Sequence, residues 1–165
     1  MGRRWCGIAL LAVALAGLGA GCTGDRDADS PPPGPANLAF VDVEASRAVT
    51  DQITPAVARF FSYDFRRLDE HSLAIQESTT ARYWSEIAPS LEIVRGVAPS
   101  KQTVASAEVI ATSLRVLEPG RAELLLFVNR STTEAGGPPQ LEGSSVVVTA
   151  ARIGPMWKIE GMRVW

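Results

Sequence analysis

Cysteine is scarce in this sequence of 165 residues and occurs only at Cys6 and Cys22. The chain beyond Cys22 therefore has no thiol, which excludes an internal disulfide, a cysteine nucleophile and a thiolate metal site there. Histidine is scarcer still, with His71 alone. The acids at 25, 27 and 29 lack the glycine and glutamate of a calcium loop, so we expect neither a metal nor another cofactor.

An excess of positive charge is also missing. The chain has 16 basic and 18 acidic residues, for a formal net charge of −2. A nucleic-acid-binding protein needs a basic face to neutralise phosphates, so the composition argues against that class. The length suits one globular domain of ordinary size.

The N-terminus has the layout of a secretory signal, predicted over residues 1–21. Arg3 and Arg4 precede an uncharged, apolar run over residues 5–21, and small residues lead directly to Cys22. The small residues before Cys22 resemble a bacterial lipobox, which predicts lipidation of Cys22 and a lipid anchor on the outer face of the cell membrane. The alternative is an uncleaved membrane helix at the lower length limit for crossing a bilayer. Both alternatives place the body outside the cytoplasm.

Residues 22–36 are predicted to be a tether that follows the anchor. The stretch TGDRDADSPPPGPA is acidic and rich in proline, and it has too few apolar residues to form a core. At about 3.1 Å per residue, an extended tether of this length reaches roughly 40 Å. We therefore expect the body, residues 37–165, to stand off the membrane surface.

The first half of the body has helical periodicity. Apolar residues at spacings of three and four predict a long helix from Asn37, as its cap, to about Phe61, with a kink at Pro55. Two further helices are predicted over 68–79 and 80–97.

The second half of the body alternates and is rich in β-branched residues. It predicts four strands over 102–117, 122–130, 144–153 and 157–164, with a long hairpin loop over 131–140. The strand at 122–130 is apolar on both sides, which indicates a central position. Helices followed by an antiparallel meander predict an α+β fold with a curved four-stranded sheet, an NTF2-like cone.

Several pieces of sequence, in order, resemble the actinobacterial Mce-associated proteins. The most specific piece is FFSYDFRRLD at 60–69, where the family typically has a variant of FSYDYxxLD. Weaker pieces lie at 41–45, 101–104, 126–130, 148–149 and 157–159. The resemblance implies a non-enzymatic, extracytoplasmic accessory subunit whose partners are Mce proteins and their permease, in a system that imports lipids.

The FFSYDFRRLD run also supplies the candidate site residues, which we interpret as structural or partner-contact positions: Phe61, Tyr63, Asp64, Phe65 and Asp69. Asp64 follows the first helix, and its carboxylate is expected to cap the backbone of the next segment. Trp157 alternates with Lys158 and is expected to face the core.

Two alternatives to a purely structural role stay open. An isomerase or cyclase on the same cone would need converging ionisable groups, for which Asp64 and His71 are the nearest pair, although His71 is expected to be a solvated surface residue. A lipid or small hydrophobe could instead occupy the cone, although a filled core is the default. The small and aliphatic residues available for either are Ala105, Ala107, Ala111, Val146, Val148 and Ala150.

Overall fold

The computed structural model describes residues 36–39 and 41–165, which form three helices and five strands. The signal segment, Cys22 and the tether up to residue 35 lie outside the described residues. In the described part of the chain, no helix is both long and apolar enough to cross a bilayer. The elements in chain order are α1 (Val43–Phe61), β1 (Tyr63–Asp64), α2 (Leu68–Ser78), α3 (Ala81–Lys101), β2 (Val104–Glu118), β3 (Arg121–Thr133), β4 (Gln140–Ile153) and β5 (Met156–Val164).

The first helix begins later than the sequence predicts. Asp42 is its N-cap and accepts a hydrogen bond from the Ala45 N–H at 2.9 Å. The predicted cap, Asn37, instead fastens the entering chain to β2, where its side chain accepts from the Leu117 N–H and donates to the Arg115 carbonyl. Apolar periodicity does not distinguish an extended lead-in packed on a sheet from the first turn of a helix.

Both long helices contain proline without ending at it. α1 is continuous through Pro55, and α3 contains Pro89 and Pro99 and continues to Lys101, past its predicted end. Pro55 leaves the carbonyl of Asp51 without its usual helical donor. Asp51 is exposed, so water can satisfy that carbonyl.

The sheet is antiparallel throughout, with the order β1-β2-β3-β4-β5. It has five strands, so the prediction of four was wrong. The missed strand, β1, has only two residues, and they pair with Ala105 and Val104 of β2. A two-residue strand is too short to produce an alternating pattern, so only its tertiary pairing defines it.

The β3–β4 hairpin is more regular than predicted. β3 continues to Thr133 and β4 begins at Gln140, and these two strands pair from Arg121↔Ala151 to Thr132↔Gln140. The predicted loop over 131–140 is therefore shortened to residues 134–139.

The core lies between α1 and one face of the sheet, here called the inner face. α1 contributes Val49, Ile53 and Val57, all with 0% exposure. Their partners on the inner face are also fully buried and come from β3, β4 and β5: Leu124, Leu126, Val146, Val148 and Ile159. Burying side chains of this size contributes about 1.5–3 kcal/mol each relative to exposing them.

The opposite, outer face is less covered than the sequence suggests. β3 is central in the sheet, as predicted, but Phe127 on its outer face is 42% exposed. Ala111 also lies on this face, opposite Phe127, rather than in the concavity. The prediction that β3 is central is thus confirmed, but only its inner face is fully buried.

Trp157 joins β5 to α1. Its side chain is 8% exposed within the core, and its backbone N–H donates to the Gln52 Oε1 at 2.8 Å. Trp165, directly after the other end of β5, is 67% exposed.

These two tryptophans form a matched pair for a stability test. Trp157→Ala should lower the free energy of unfolding by about 3–5 kcal/mol because it empties a large core position. Trp165→Ala should cost less than about 1 kcal/mol, since exposed side chains contribute little. Urea unfolding followed by circular dichroism measures both. Equal losses for the two variants would contradict the assignment of Trp157 to the core.

Candidate functional site

Four of the polar residues in the FFSYDFRRLD run border one surface cleft, here called the α1–α2 cleft. It has a volume of about 400 Å³ and lies where the end of α1, β1 and the start of α2 come together. Its polar lining consists of Arg59, Ser62, Tyr63, Asp64, Arg67, Glu70 and His71. The FFSYDFRRLD run thus forms a local structure in which most of its polar residues border the same space.

Asp64 organises the turn between β1 and α2. Its Oδ1 accepts from the Arg66 backbone N–H at 2.9 Å, and its carboxylate binds the Arg66 guanidinium through Nε at 2.9 Å and Nη2 at 2.6 Å. Its own carbonyl accepts from the Arg67 N–H at 2.8 Å. The side-chain hydrogen bond from Arg66, together with the backbone one, lowers the pKa of Asp64 to about 2. Asp64 is therefore an anion held by its own turn.

His71 is half-buried, so the prediction of a solvated surface residue was wrong. Its Nε2 lies 3.2 Å from the Phe60 carbonyl oxygen at the end of α1, and its ring is 5.6 Å from that of Tyr63. Burial lowers the pKa of His71, and hydrogen bonding to the backbone carbonyls of Phe60 and Arg59 opposes this in part. The neutral ring, donating from Nε2 to Phe60, thus ties α2 to α1.

The other residues of the predicted set take separate positions. Phe61 packs against the core edge-on to Phe60, with ring centroids 5.4 Å apart. Phe65 donates its N–H to the Thr103 carbonyl at 3.1 Å, and the Arg66 guanidinium lies over its ring at 5.4 Å. Asp69 is exposed and forms an ion pair with Arg95 of α3. These residues join α1, α2, α3 and the sheet, and they do not converge on one point.

Ser62 makes structural contacts that the sequence does not predict. Its hydroxyl donates to the Ala58 carbonyl at 2.7 Å and accepts from the Ala107 N–H of β2 at 2.9 Å. One hydroxyl group therefore bonds a carbonyl in the last turn of α1 and an edge N–H of β2. Nothing local in the sequence indicates its contact with Ala107 of β2, 45 residues away.

The interior offers little room for the lipid that the sequence leaves open. The middle of the cone is filled by the α1 and sheet side chains described above. Near the end of α3, Ile93, Val97 and Arg130 border an open cleft of about 320 Å³. Residues 36–39 and 41–165 contain no cluster of three or more His, Cys, Asp or Glu side chains placed to hold a metal ion.

No family model matches the chain. Two uncharacterized proteins of Mycobacterium tuberculosis, Rv1362c of strain H37Rv and MT1407 of strain CDC 1551, are each 28% identical to it over 120 residues. The match covers 72% of this chain and 54% of each relative, so the chain spans about half the length of the curated relatives it matches. Both relatives come from an actinobacterium, which fits the resemblance noted in the sequence.

The solved structures similar to this chain include components of type IV secretion systems. An IcmL-like type IV secretion system protein of Legionella pneumophila has a TM-score of 0.64 at 14% identity, covering 75% of this chain and 93% of that one. The periplasmic domain of DotI has a TM-score of 0.63 at 18% identity, and the match covers 76% of this chain and 98% of that domain. Agrobacterium tumefaciens VirB8 has a TM-score of 0.59 at 12% identity, and the match covers 80% of this chain and 96% of that one. At these identities the likeness concerns the fold alone, which is α+β and NTF2-like.

The pairing of Asp64 with Arg66 can be tested by titration. Arg66→Gln removes the guanidinium, so the pKa of Asp64 should rise from about 2 towards its ordinary value of 3.8. Arg67→Gln, one position along, should shift this pKa much less because Arg67 pairs with Glu70. Carbon-13 NMR of the carboxyl group measures the pKa in all three proteins.

The same pairing fixes a pH dependence of stability. Because the folded-state pKa of Asp64 lies below the unfolded one, its stabilisation is present above about pH 4 and is lost as the pH falls towards 2. The thermal unfolding midpoint of Arg66→Gln should therefore converge with that of the native protein at low pH. An unshifted pKa in the native protein would contradict the assigned pair.

Proposed function

We propose that this chain is a non-enzymatic, extracytoplasmic accessory subunit that stabilises an Mce-type lipid import complex. The observation that carries the proposal is the commitment of the α1–α2 cleft to the fold itself. Asp64 is held by Arg66, His71 by the Phe60 carbonyl, and Ser62 by α1 and β2. The groups that an isomerase or cyclase would use for proton transfer are engaged in connecting helices to the sheet.

The filled interior supports the same proposal. A cone-shaped enzyme or lipid carrier needs an enclosed space for its ligand. In this chain Leu124, Leu126 and Val148 occupy the middle of the inner face with 0% exposure, and α1 covers them. The clefts that remain are open to solvent. Such a body is suited to binding other proteins through its surface.

The likeness to secretion-system domains is compatible with this role. DotI and VirB8 carry the same fold, and the DotI domain is periplasmic. For this chain we propose an analogous place outside the membrane, with lipidated Cys22 as the anchor and the acidic tether as the spacer. The Mce proteins and their permease are proposed as partners on the sequence resemblance.

Co-purification from the native host tests the proposal. The tagged full-length chain, extracted in mild detergent, should recover Mce proteins and the permease at defined stoichiometry because an accessory subunit binds its complex directly. The control carries the same residues 1–36 fused to an unrelated soluble domain, and it should recover neither. Equal recovery by chain and control, or recovery of neither partner by the chain, would contradict the proposal.

The anchor is tested separately by mass spectrometry of the mature N-terminus. A diacylated or triacylated Cys22 is the expected first residue, and Cys22→Ser should abolish the modification. An intact Met1 with a free Cys22 thiol would favour the membrane-helix alternative.

A further inference from the structure

The sheet has two lateral edges, and the edge formed by β2 is largely closed. The Ala107 N–H donates to Ser62, and the Leu117 backbone bonds to Asn37 and Leu38. Between these points the β2–β3 register shifts twice, at Ile110 and at Arg115. Bulges bend and twist an edge strand, which obstructs pairing with another chain.

The first half of the other edge, β5, is also occupied. The Trp157 N–H donates to Gln52 at 2.8 Å, and the Ile159 carbonyl accepts from the Thr80 N–H at 2.9 Å. The register then passes from Ala150↔Ile159 to Thr149↔Gly161, so Glu160 is the extra residue of a bulge. Within the first half of β5, the Trp157 N–H and the Ile159 carbonyl therefore have partners from α1 and from the α2–α3 junction.

Beyond Glu160, the outward backbone groups of β5 lack such partners among the described residues. Trp165 and Ser145 exchange both of their backbone hydrogen bonds, at 3.0 and 3.1 Å. Because hydrogen-bonded and non-hydrogen-bonded pairs alternate in an antiparallel ladder, Arg163 and Gly161 also direct their backbone groups towards β4. The backbone N–H and C=O groups of Met162 and Val164 consequently point in the opposite direction, away from β4 at the free edge of the sheet. Among residues 36–39 and 41–165, no backbone group pairs with these outward groups.

We propose that residues 161–165, the end of β5 together with Trp165, bind an extended segment of a partner protein that adds to the sheet as a sixth strand. The free donors and acceptors recur at every second residue, about 6.6 Å apart, which is the repeat of a strand and not of a helix. Main-chain hydrogen bonds of this kind are the basis of strand addition. The inference rests on the proposed function only in taking the partner from the same complex.

The side chains at this edge specify the chemistry of the partner segment. Arg163 lies between the two outward residues and on the outer face, since it pairs with Val147, and its guanidinium is 5.9 Å from the Trp165 ring. An Asp or Glu opposite Arg163 would form a favourable cross-strand pair. Val164 and Trp165 are 51% and 67% exposed, so apolar residues beside that acid would gain burial. The partner segment is thus apolar with one central acid.

A second copy of this chain fits the edge poorly. Symmetric antiparallel pairing of Met162 with Val164 of another copy would bring the two Arg163 side chains opposite each other, which is unfavourable. Centring the pair on Met162 instead would set Val164 against the bulged Glu160. Both symmetric registers that use the outward groups of Met162 and Val164 together are thus disfavoured, one by charge and the other by the bulge, so we take a different protein as the occupant.

Proline substitution gives a selective test. Val164→Pro removes an outward N–H and leaves the ladder with β4 intact, because the Val164 N–H takes no part in that ladder. Val164→Thr keeps the N–H and is the matched control. Arg163→Glu reverses the central charge without affecting the backbone, and Arg163→Lys is its control. Circular dichroism and thermal unfolding report whether each variant folds.

The readout is photo-crosslinking of the full-length chain in membranes of the native host. A photoreactive amino acid at Met162 and, in a separate protein, at Val164 should crosslink to residues two apart in one partner segment, with Asp or Glu between them. Crosslinking from position 162 should fall about tenfold in Val164→Pro, as expected for a lost hydrogen bond together with a clash of the proline ring. Arg163→Glu should also lower it, whereas both controls should retain it.

Three results would overturn the inference: crosslinks between two copies of this chain, crosslinks without the two-residue step, or an unchanged yield in both Val164→Pro and Arg163→Glu. If Mce proteins co-purify but the yield is unchanged, the edge inference fails and the proposed function stands. If the stepwise crosslinks reach a protein unrelated to an Mce system, the proposed function fails and the edge inference stands.

Discussion

The packing of α1 into the inner face of the sheet is the contact on which the other elements depend. Val49, Ile53 and Val57 are completely buried against the central strands, and Gln52 on the same helix binds the backbone of Trp157. The helix packs against β2, β3 and β5, and the bulges in both edge strands bend the sheet locally. The positions of the two ends of α1 then determine where the chain enters and leaves this helix.

The FFSYDFRRLD run begins at that end of α1, which explains its dense network. Ser62 stops the helix and reaches β2, Asp64 holds the following turn, and His71 returns from α2 to the last carbonyls of α1. Each of these polar groups is partly or largely shielded, so leaving any one unpaired would be costly. The run is therefore the junction between the helical half and the sheet.

The sequence predicted the helices, the four long strands and the core position of Trp157 because each rests on periodicity over many residues. It missed β1, the extended lead-in at Asn37 and the burial of His71 because each depends on a tertiary partner: β2, β2 again, and the Phe60 carbonyl. The motif residues could be named in advance, but the shared cleft could not. The free edge at Met162 and Val164 could not be predicted either, because it follows from the alternation of hydrogen-bonded pairs between β4 and β5.

The central claim, that this body stabilises a complex and does not catalyse a reaction, is tested most directly by the amount of assembled Mce–permease complex in cells. Membranes of a strain lacking the chain, resolved on native gels, should contain less of that complex. Complementation with Glu70→Gln/His71→Gln removes the cleft's imidazole and its exposed carboxylate but keeps a side-chain amide that can donate to the Phe60 carbonyl, so it should restore complex and lipid uptake as well as the native chain does. Undiminished complex in the deletion strain, or assembled complex with uptake lost only in the cleft variant, would contradict the account.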